Sequence, residues 1–165
     1  MKAIVYESNS GFTQKYAKML SEKTGLSYYS TKEAKKQLKK GDEVFFMGWI
    51  FGSKIMGFKK ANKKYKLLGC AAVGISEASN KYKNELIKNN KIETINFFYL
   101  RGGFDLSKLK GAKANLVKVL IKTLERDTQV KGCKKEDREL LRIFKNGANF
   151  VDERNLAPIL KFVNN

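Results

Sequence analysis

Histidine is absent from the 165 residues, proline occurs only at Pro158, and cysteine occurs twice, at Cys70 and Cys133. The lack of histidine excludes histidine-dependent triads, histidine-ligated zinc and imidazole proton transfer. Cys70 sits inside an apolar run and Cys133 in a polar, glycine-containing loop. Neither has a second sulfur or other metal ligand at useful spacing, so a disulfide framework and a thiolate cage both lack support. Chemistry in such a chain is expected to come from a cofactor. Long apolar runs are missing too: none approaches the ~20 residues that span a bilayer. The chain passes from Met1-Lys2 directly into a strand-like run without signal-peptide architecture, which sets the expectation of a cytoplasmic protein.

Negative charge is also scarce. Against 34 Lys and Arg there are 16 Asp and Glu, leaving a formal charge of +18. Such a balance raises nucleic acid as a partner. Yet the lysine pairs, Lys35-Lys36, Lys39-Lys40, Lys59-Lys60, Lys63-Lys64 and Lys134-Lys135, are dispersed, and no arm or recognition helix collects them. The pattern reads as a solvated surface, and nucleic acid is not the expected partner. The apolar fraction of 42% is that of a folded globular protein, and the length suits one domain, residues 1–165.

The chain opens with an apolar strand, Lys2 to Tyr6, a hydroxyl-rich turn, and a helix from Thr13 to about Lys23 that Thr24-Gly25 closes. The unit then recurs. Leu26–Tyr29 is a weak second strand, and Ser30-Thr31-Lys32-Glu33 looks like the capped start of a basic helix ending near Lys40-Gly41. Glu43–Trp49 is apolar throughout after its opening Glu43, as a strand covered on both faces should be. A lysine-rich helix over about 58–65 leads to a fourth strand, Leu67–Ile75. A helix over 79–90 leads to a fifth strand, Ile92–Leu100. Alternation of this kind predicts a doubly wound α/β fold. Beyond Arg101-Gly102-Gly103-Phe104, helical patterns at 112–126, 136–146 and 153–163 exceed the one helix the fold needs. Residues 105–150 therefore read as a helical insertion before the final sheet-packing helix.

Ligands of open parallel sheets sit beyond the carboxyl ends of the strands, where strand order reverses. The first such loop supplies the hydroxyls of Ser8, Ser10 and Thr13, the permissive Gly11, and backbone N–H groups opening onto a helix. Together with the helix dipole these can solvate a phosphate without a lysine. A plain Ser/Asn helix cap would look the same in isolation.

Ser8-x-Ser10-Gly11-x-Thr13 after a first strand resembles the phosphate loop of the flavodoxin family, Ser/Thr-x-Ser/Thr-Gly-x-Thr, at every patterned position. The resemblance runs in order over about residues 1–104. It implies a flavodoxin-like three-layer sandwich with a five-stranded parallel sheet of order 2-1-3-4-5, and noncovalently bound FMN. The phosphate falls to Ser8, Asn9, Ser10, Gly11, Phe12 and Thr13. The loop around Trp49, Ile50, Phe51 and Gly52 matches the one flanking the flavin ring, and Tyr99, Leu100, Arg101, Gly102, Gly103 and Phe104 match the one around its other edge. Trp49, Phe51 and Tyr99 are the candidate ring faces. In similar proteins a glycine placed like Gly52 lets its peptide turn over as the flavin takes up a proton. No side chain is assigned a catalytic role.

Typical flavodoxins are acidic around the flavin, whereas this chain is basic, which argues against a standard low-potential carrier. The segment after the fifth strand is more weakly similar to the menaquinone-dependent protoporphyrinogen dehydrogenases. The implied function is electron transfer through FMN, either as a carrier or as an oxidoreductase of that kind, with a redox protein or a small anionic substrate as partner. The other class of function is a non-catalytic basic module that binds nucleic acid or an acidic protein on the same scaffold. Lys113, Lys118 and Lys122, interleaved with Leu116, Val117, Val119, Leu120, Ile121 and Leu124, make a basic amphipathic helix. Peripheral contact with an anionic membrane is the secondary expectation from it.

Overall fold

A computed structural model describes residues 1–77, 79–109, 111–129 and 134–164. The chain divides into two compact units, Met1–Gly102 with Val151–Asn165, and Gly103–Phe150. In chain order the first unit holds β1 (Ala3–Glu7), α1 (Phe12–Thr24), β2 (Ser27–Ser30), α2 (Ala34–Gln37) and β3 (Glu43–Phe51). It continues through β4 (Lys54–Ile55), α3 (Phe58–Lys64), β5 (Lys66–Gly74), α4 (Asn80–Asn90) and β6 (Asn96–Arg101). The second unit holds β7 (Gly103–Phe104), α5 (Ala112–Thr128), α6 (Lys135–Asn146) and β8 (Ala148–Asn149), after which α7 (Ala157–Val163) returns to the first.

The first unit is an α/β layer structure on a mostly parallel sheet ordered β2-β1-β3-β5-β6. The central strands β1, β3 and β5 are apolar on both sides because helices cover both. Val5, Val44, Phe46, Cys70 and Ala72 pack with Ala34 of α2, Phe58 and Ala61 of α3 and Leu86 of α4. The alternate residues Ile4, Phe45, Met47, Ala71 and Leu100 pack with Tyr16, Ala17 and Leu20 of α1 and Ile159 of α7. Two-residue alternation thus splits one apolar run between two cores.

The sheet has six strands where five were expected. β3 continues past Trp49 to Phe51 and turns back at Gly52-Ser53 into β4, pairing Ile50 with Ile55 and Phe51 with Lys54. Gly52, at φ 60°, supplies the positive φ of the tight turn, so the stretch expected to be a loop is a hairpin. The second helix is shorter than its pattern suggests. The Ser30 N–H donates to Glu33 and the Glu33 N–H to Ser30 Oγ, a reciprocal cap. The helix nevertheless stops at Gln37, because Leu38 is extended and the Lys39 N–H turns to the Asp42 carboxylate at 2.8 Å.

The fifth expected strand begins four residues late, at Asn96, because Ile92 terminates α4. Its N–H donates back to the Ile87 carbonyl and its side chain is buried. Pro158 near the start of α7 has no N–H to donate, and residues Glu153–Leu156 form a 3-10 turn instead of the first helical turn.

In the second unit β7 and β8 pair antiparallel, Gly103 with Asn149 and Phe104 with Ala148. Phe104 stacks obliquely on Phe144 of α6 at 4.9 Å, and Lys145 of α6 pairs with Glu125 of α5 at 2.6 Å. Val117 and Leu124 of α5 are buried, while Leu116, Val119 and Leu120 are exposed.

Candidate functional site

β1 runs in register with β3, setting Glu7 opposite Gly48, so the loop after β1 leaves the sheet beside the β3–β4 hairpin. The loop closes on itself: the Gly11 N–H donates to Ser8 Oγ at 3.1 Å. Gly11 then takes the left-handed conformation (φ 91°, ψ −13°) that aims the chain into α1. Asn9 is exposed, Ser8, Ser10 and Gly11 are half-buried, and Phe12 is buried beneath Lys15, whose ammonium lies 5.5 Å from its ring centre.

No side chain caps α1, and its first turn holds no carboxylate. A helix start of this kind presents N–H donors and the positive end of the dipole with no negative charge of its own. Thr13, in that first turn, is 1% exposed, and its Oγ1 has no hydrogen-bond partner. Burying a hydroxyl without a partner costs about 1–3 kcal/mol. Uncapped donors and an unmatched hydroxyl together describe a place prepared for an acceptor.

Along β3, Trp49 and Phe51 continue the face that carries Phe45 and Met47, the α1 side of the sheet. Both are half-buried, with ring centres 5.7 Å apart. Ile50 points to the other face, into the core beneath α3 and α4. The hairpin is pinned from a distance by Asn90 at the end of α4. Its amide donates to the Ser53 carbonyl and accepts from the Ile55 N–H, both at 2.9 Å. Sequence reasoning missed this clamp, since Asn90 read only as the last residue of a helix over 79–90.

At the end of β6, Tyr99 faces the side of the sheet away from α1. Its ring meets Tyr82 edge-on at 5.6 Å, and its hydroxyl donates to the Ser76 carbonyl at 2.7 Å. Burial pushes that phenol well above the usual tyrosine range. Arg101 Nε donates to the Ile75 carbonyl, and its guanidinium lies 3.8 Å from Glu77. Leu100 is core. Gly102 runs beside the start of α1: a Cβ built there would lie 3.7 Å from the Cβ of Phe12, and the Gly102 N–H donates to the Gly74 carbonyl at 2.6 Å. Tyr16 holds this corner, donating to the Arg101 carbonyl at 2.7 Å and accepting from Asn155 Nδ2 at 2.7 Å and the Asp152 N–H at 3.3 Å.

The fold therefore gathers Ser8–Thr13 with the start of the hairpin and with Gly102. It turns Tyr99 to the opposite face, and Gly103 and Phe104 belong to the second unit. The chain matches no protein-family model and no curated protein. Among the described residues no cluster of three or more Cys, Asp and Glu side chains could hold a metal ion, and no helix is long and apolar enough to cross a membrane. Cys70 is buried and burial pushes its thiol up, so it is not a ready nucleophile; Cys133 lies outside the described residues. The arrangement suits noncovalent binding of a phosphorylated ligand at α1 with a flat group beside Trp49 and Phe51.

Proposed function

We propose that this chain is a flavodoxin-like redox protein that binds FMN noncovalently and passes electrons to a partner protein or a small anionic substrate. The observation that carries the reading is the buried, unpartnered Thr13 hydroxyl in the uncapped first turn of α1. The parallel order β2-β1-β3-β5-β6 supports it, because the loop lies where that order reverses, between β1 and β3. Ser8 shapes the loop by accepting from Gly11, Thr13 and the first-turn N–H groups bind the phosphate, and Trp49 and Phe51 offer an apolar surface to the ring. FMN would supply one- and two-electron transfer. The chain's own residues orient it, keep water from one face and set the surrounding charge.

The test is a titration of the flavin-free protein with FMN and with riboflavin, read by flavin fluorescence. FMN is expected to bind with quenching. Thr13→Val removes one hydrogen bond to a charged group, worth about 1.5–3 kcal/mol, so FMN binding should weaken about 10- to 100-fold while riboflavin binding is unchanged. The flavin-free variant should melt no lower than wild type, because its buried hydroxyl has no partner to lose. Equal losses for both ligands would remove the phosphate assignment. Protein that neither ligand titrates would support the basic binding module instead.

A further inference from the structure

The lysines that look dispersed along the sequence are drawn together by the fold. Lys35, Lys36 and Lys39 belong to α2 and the turn after it, and Lys59, Lys60 and Lys63 to the outward face of α3; all six are exposed. The two segments lie side by side. Ala34, Leu38, Phe58, Ala61 and Tyr65 share one core, the Tyr65 hydroxyl donates to the Ala34 carbonyl at 3.0 Å, and the Gly41 N–H donates to the Lys64 carbonyl at 2.8 Å.

Nearby carboxylates are already engaged: Glu33 with the Ser30 N–H, Asp42 with Lys2 at 2.8 Å, and Glu43 with Lys66 at 2.9 Å. Among the described residues none of the six lysines forms a salt bridge. Lys39 and Lys63 stand toward the end of the sheet where β3 and β5 begin, a strand's length from the loop after β1.

We infer that this face is a second binding surface, which holds the phosphate backbone of double-stranded nucleic acid without reading its sequence. The first 100 residues contain no arginine, so the face carries only hydrated point charges on flexible stems, suited to phosphates and not to a planar bidentate fork. Protein partners are met through aromatic, Met and Arg anchors, and interfaces are depleted in lysine. Among the described residues the large hydrophobic side chains that are exposed are Leu116, Val119 and Leu120, all on α5, so the lysine face has no apolar anchor for a bilayer. What remains is counterion release from a polyphosphate.

The experiment measures anisotropy of a labelled random-sequence DNA duplex with the full chain at roughly 50 to 200 mM salt. Wild type should bind with a steep salt dependence. K35Q/K36Q/K39Q and K59Q/K60Q/K63Q should each weaken binding on the order of tenfold at the lower salt and reduce the log–log slope by about 2 to 3, at about 0.9 per phosphate contact. K118Q/K122Q/K161Q, which removes the same charge elsewhere, should leave the slope intact. All three variants change only exposed side chains, and circular dichroism with thermal melting gives a readout of folding that does not depend on flavin. Loss of slope in the third variant equal to that in the other two would overturn the inference, as would absence of duplex binding. Tighter binding to phosphatidylserine vesicles than to the duplex at equal ionic strength would overturn it too, and would assign the face to a membrane.

Discussion

Thr13 and Tyr16 stand one turn apart on α1, both essentially inaccessible, and their polar atoms are treated in opposite ways. The Tyr16 hydroxyl has a donor and an acceptor role filled by Arg101, Asp152 and Asn155, whereas Thr13 Oγ1 is the one buried side-chain polar atom among the described residues with no partner. Interiors satisfy nearly all such groups, and this single exception, in the first turn of a helix, is the observation on which the proposed phosphate site rests. At the same end of the sheet Gly48 is fixed by packing. A Cβ there would come within 2.6 Å of both Ile55 Cγ2 and the Met56 carbonyl oxygen, and 2.9 Å of Phe46. The carbonyl belongs to the segment whose N–H donates to Trp49 at 2.9 Å, so it cannot step aside without breaking the hairpin. Gly48→Ala should cost about 1–3 kcal/mol, seen as a lower urea midpoint with unchanged m-value. An unchanged midpoint would show that the hairpin is free to shift.

At the scale of elements, what could be read in advance was what neighbouring residues decide. β1, the Ser8–Thr13 loop and α1 lie contiguous in sequence, and strand, glycine turn and helix announce themselves there. The β3–β4 hairpin did not, because Gly48–Ile55 is nearly continuous apolar sequence in which only Gly52-Ser53 marks a turn, and the clamp that fixes it, Asn90, is 35 positions from its partner Ile55. The early end of α2 depends on a side chain, Asp42, beyond the helical pattern.

Asp152 is a comparable device. Its carboxylate accepts from the side chain and the backbone N–H of Arg154 at the start of the 3-10 turn, and these bonds hold its pKa at about 2, below the ordinary 3.8. A carboxyl depressed by folding contributes stability that is complete above about pH 3.8 and is lost as pH falls through about 2. Wild type should therefore lose its thermal advantage over Asp152→Asn across that window and keep a constant advantage above it. Parallel melting curves of the two proteins from pH 6 to pH 2 would refute the role.

For the whole molecule, the sequence announces the size of the charge but not its placement: residues 35–39 and 59–63 become neighbours only in the fold, through a shared apolar core and the Tyr65–Ala34 and Gly41–Lys64 hydrogen bonds. The balance of +18 also acts on stability. Added salt weakens native ion pairs, and it weakens repulsion among the uncompensated lysines. The pairs, such as Lys2–Asp42, Lys18–Glu22 and Lys66–Glu43, are exposed, and each contributes about 0–1 kcal/mol. Repulsion acts between every two of the excess charges within a Debye length, which shrinks from about 30 Å at 0.01 M to about 8 Å at 0.15 M. With two cations for each anion the repulsive sum is the larger, so salt should stabilise. If screening removes on the order of 1–2 kcal/mol of it, Tm should rise by about 3–6 °C between 0.01 and 0.15 M NaCl at pH 7. The rise should be greater at pH 4, where protonation of carboxylates leaves the lysines still less opposed. It should be smaller in a protein carrying all six Lys→Gln changes on α2 and α3. A Tm that falls with salt at pH 7 would mean that the ion pairs outweigh the repulsion and that the lysine face is not a concentrated charge.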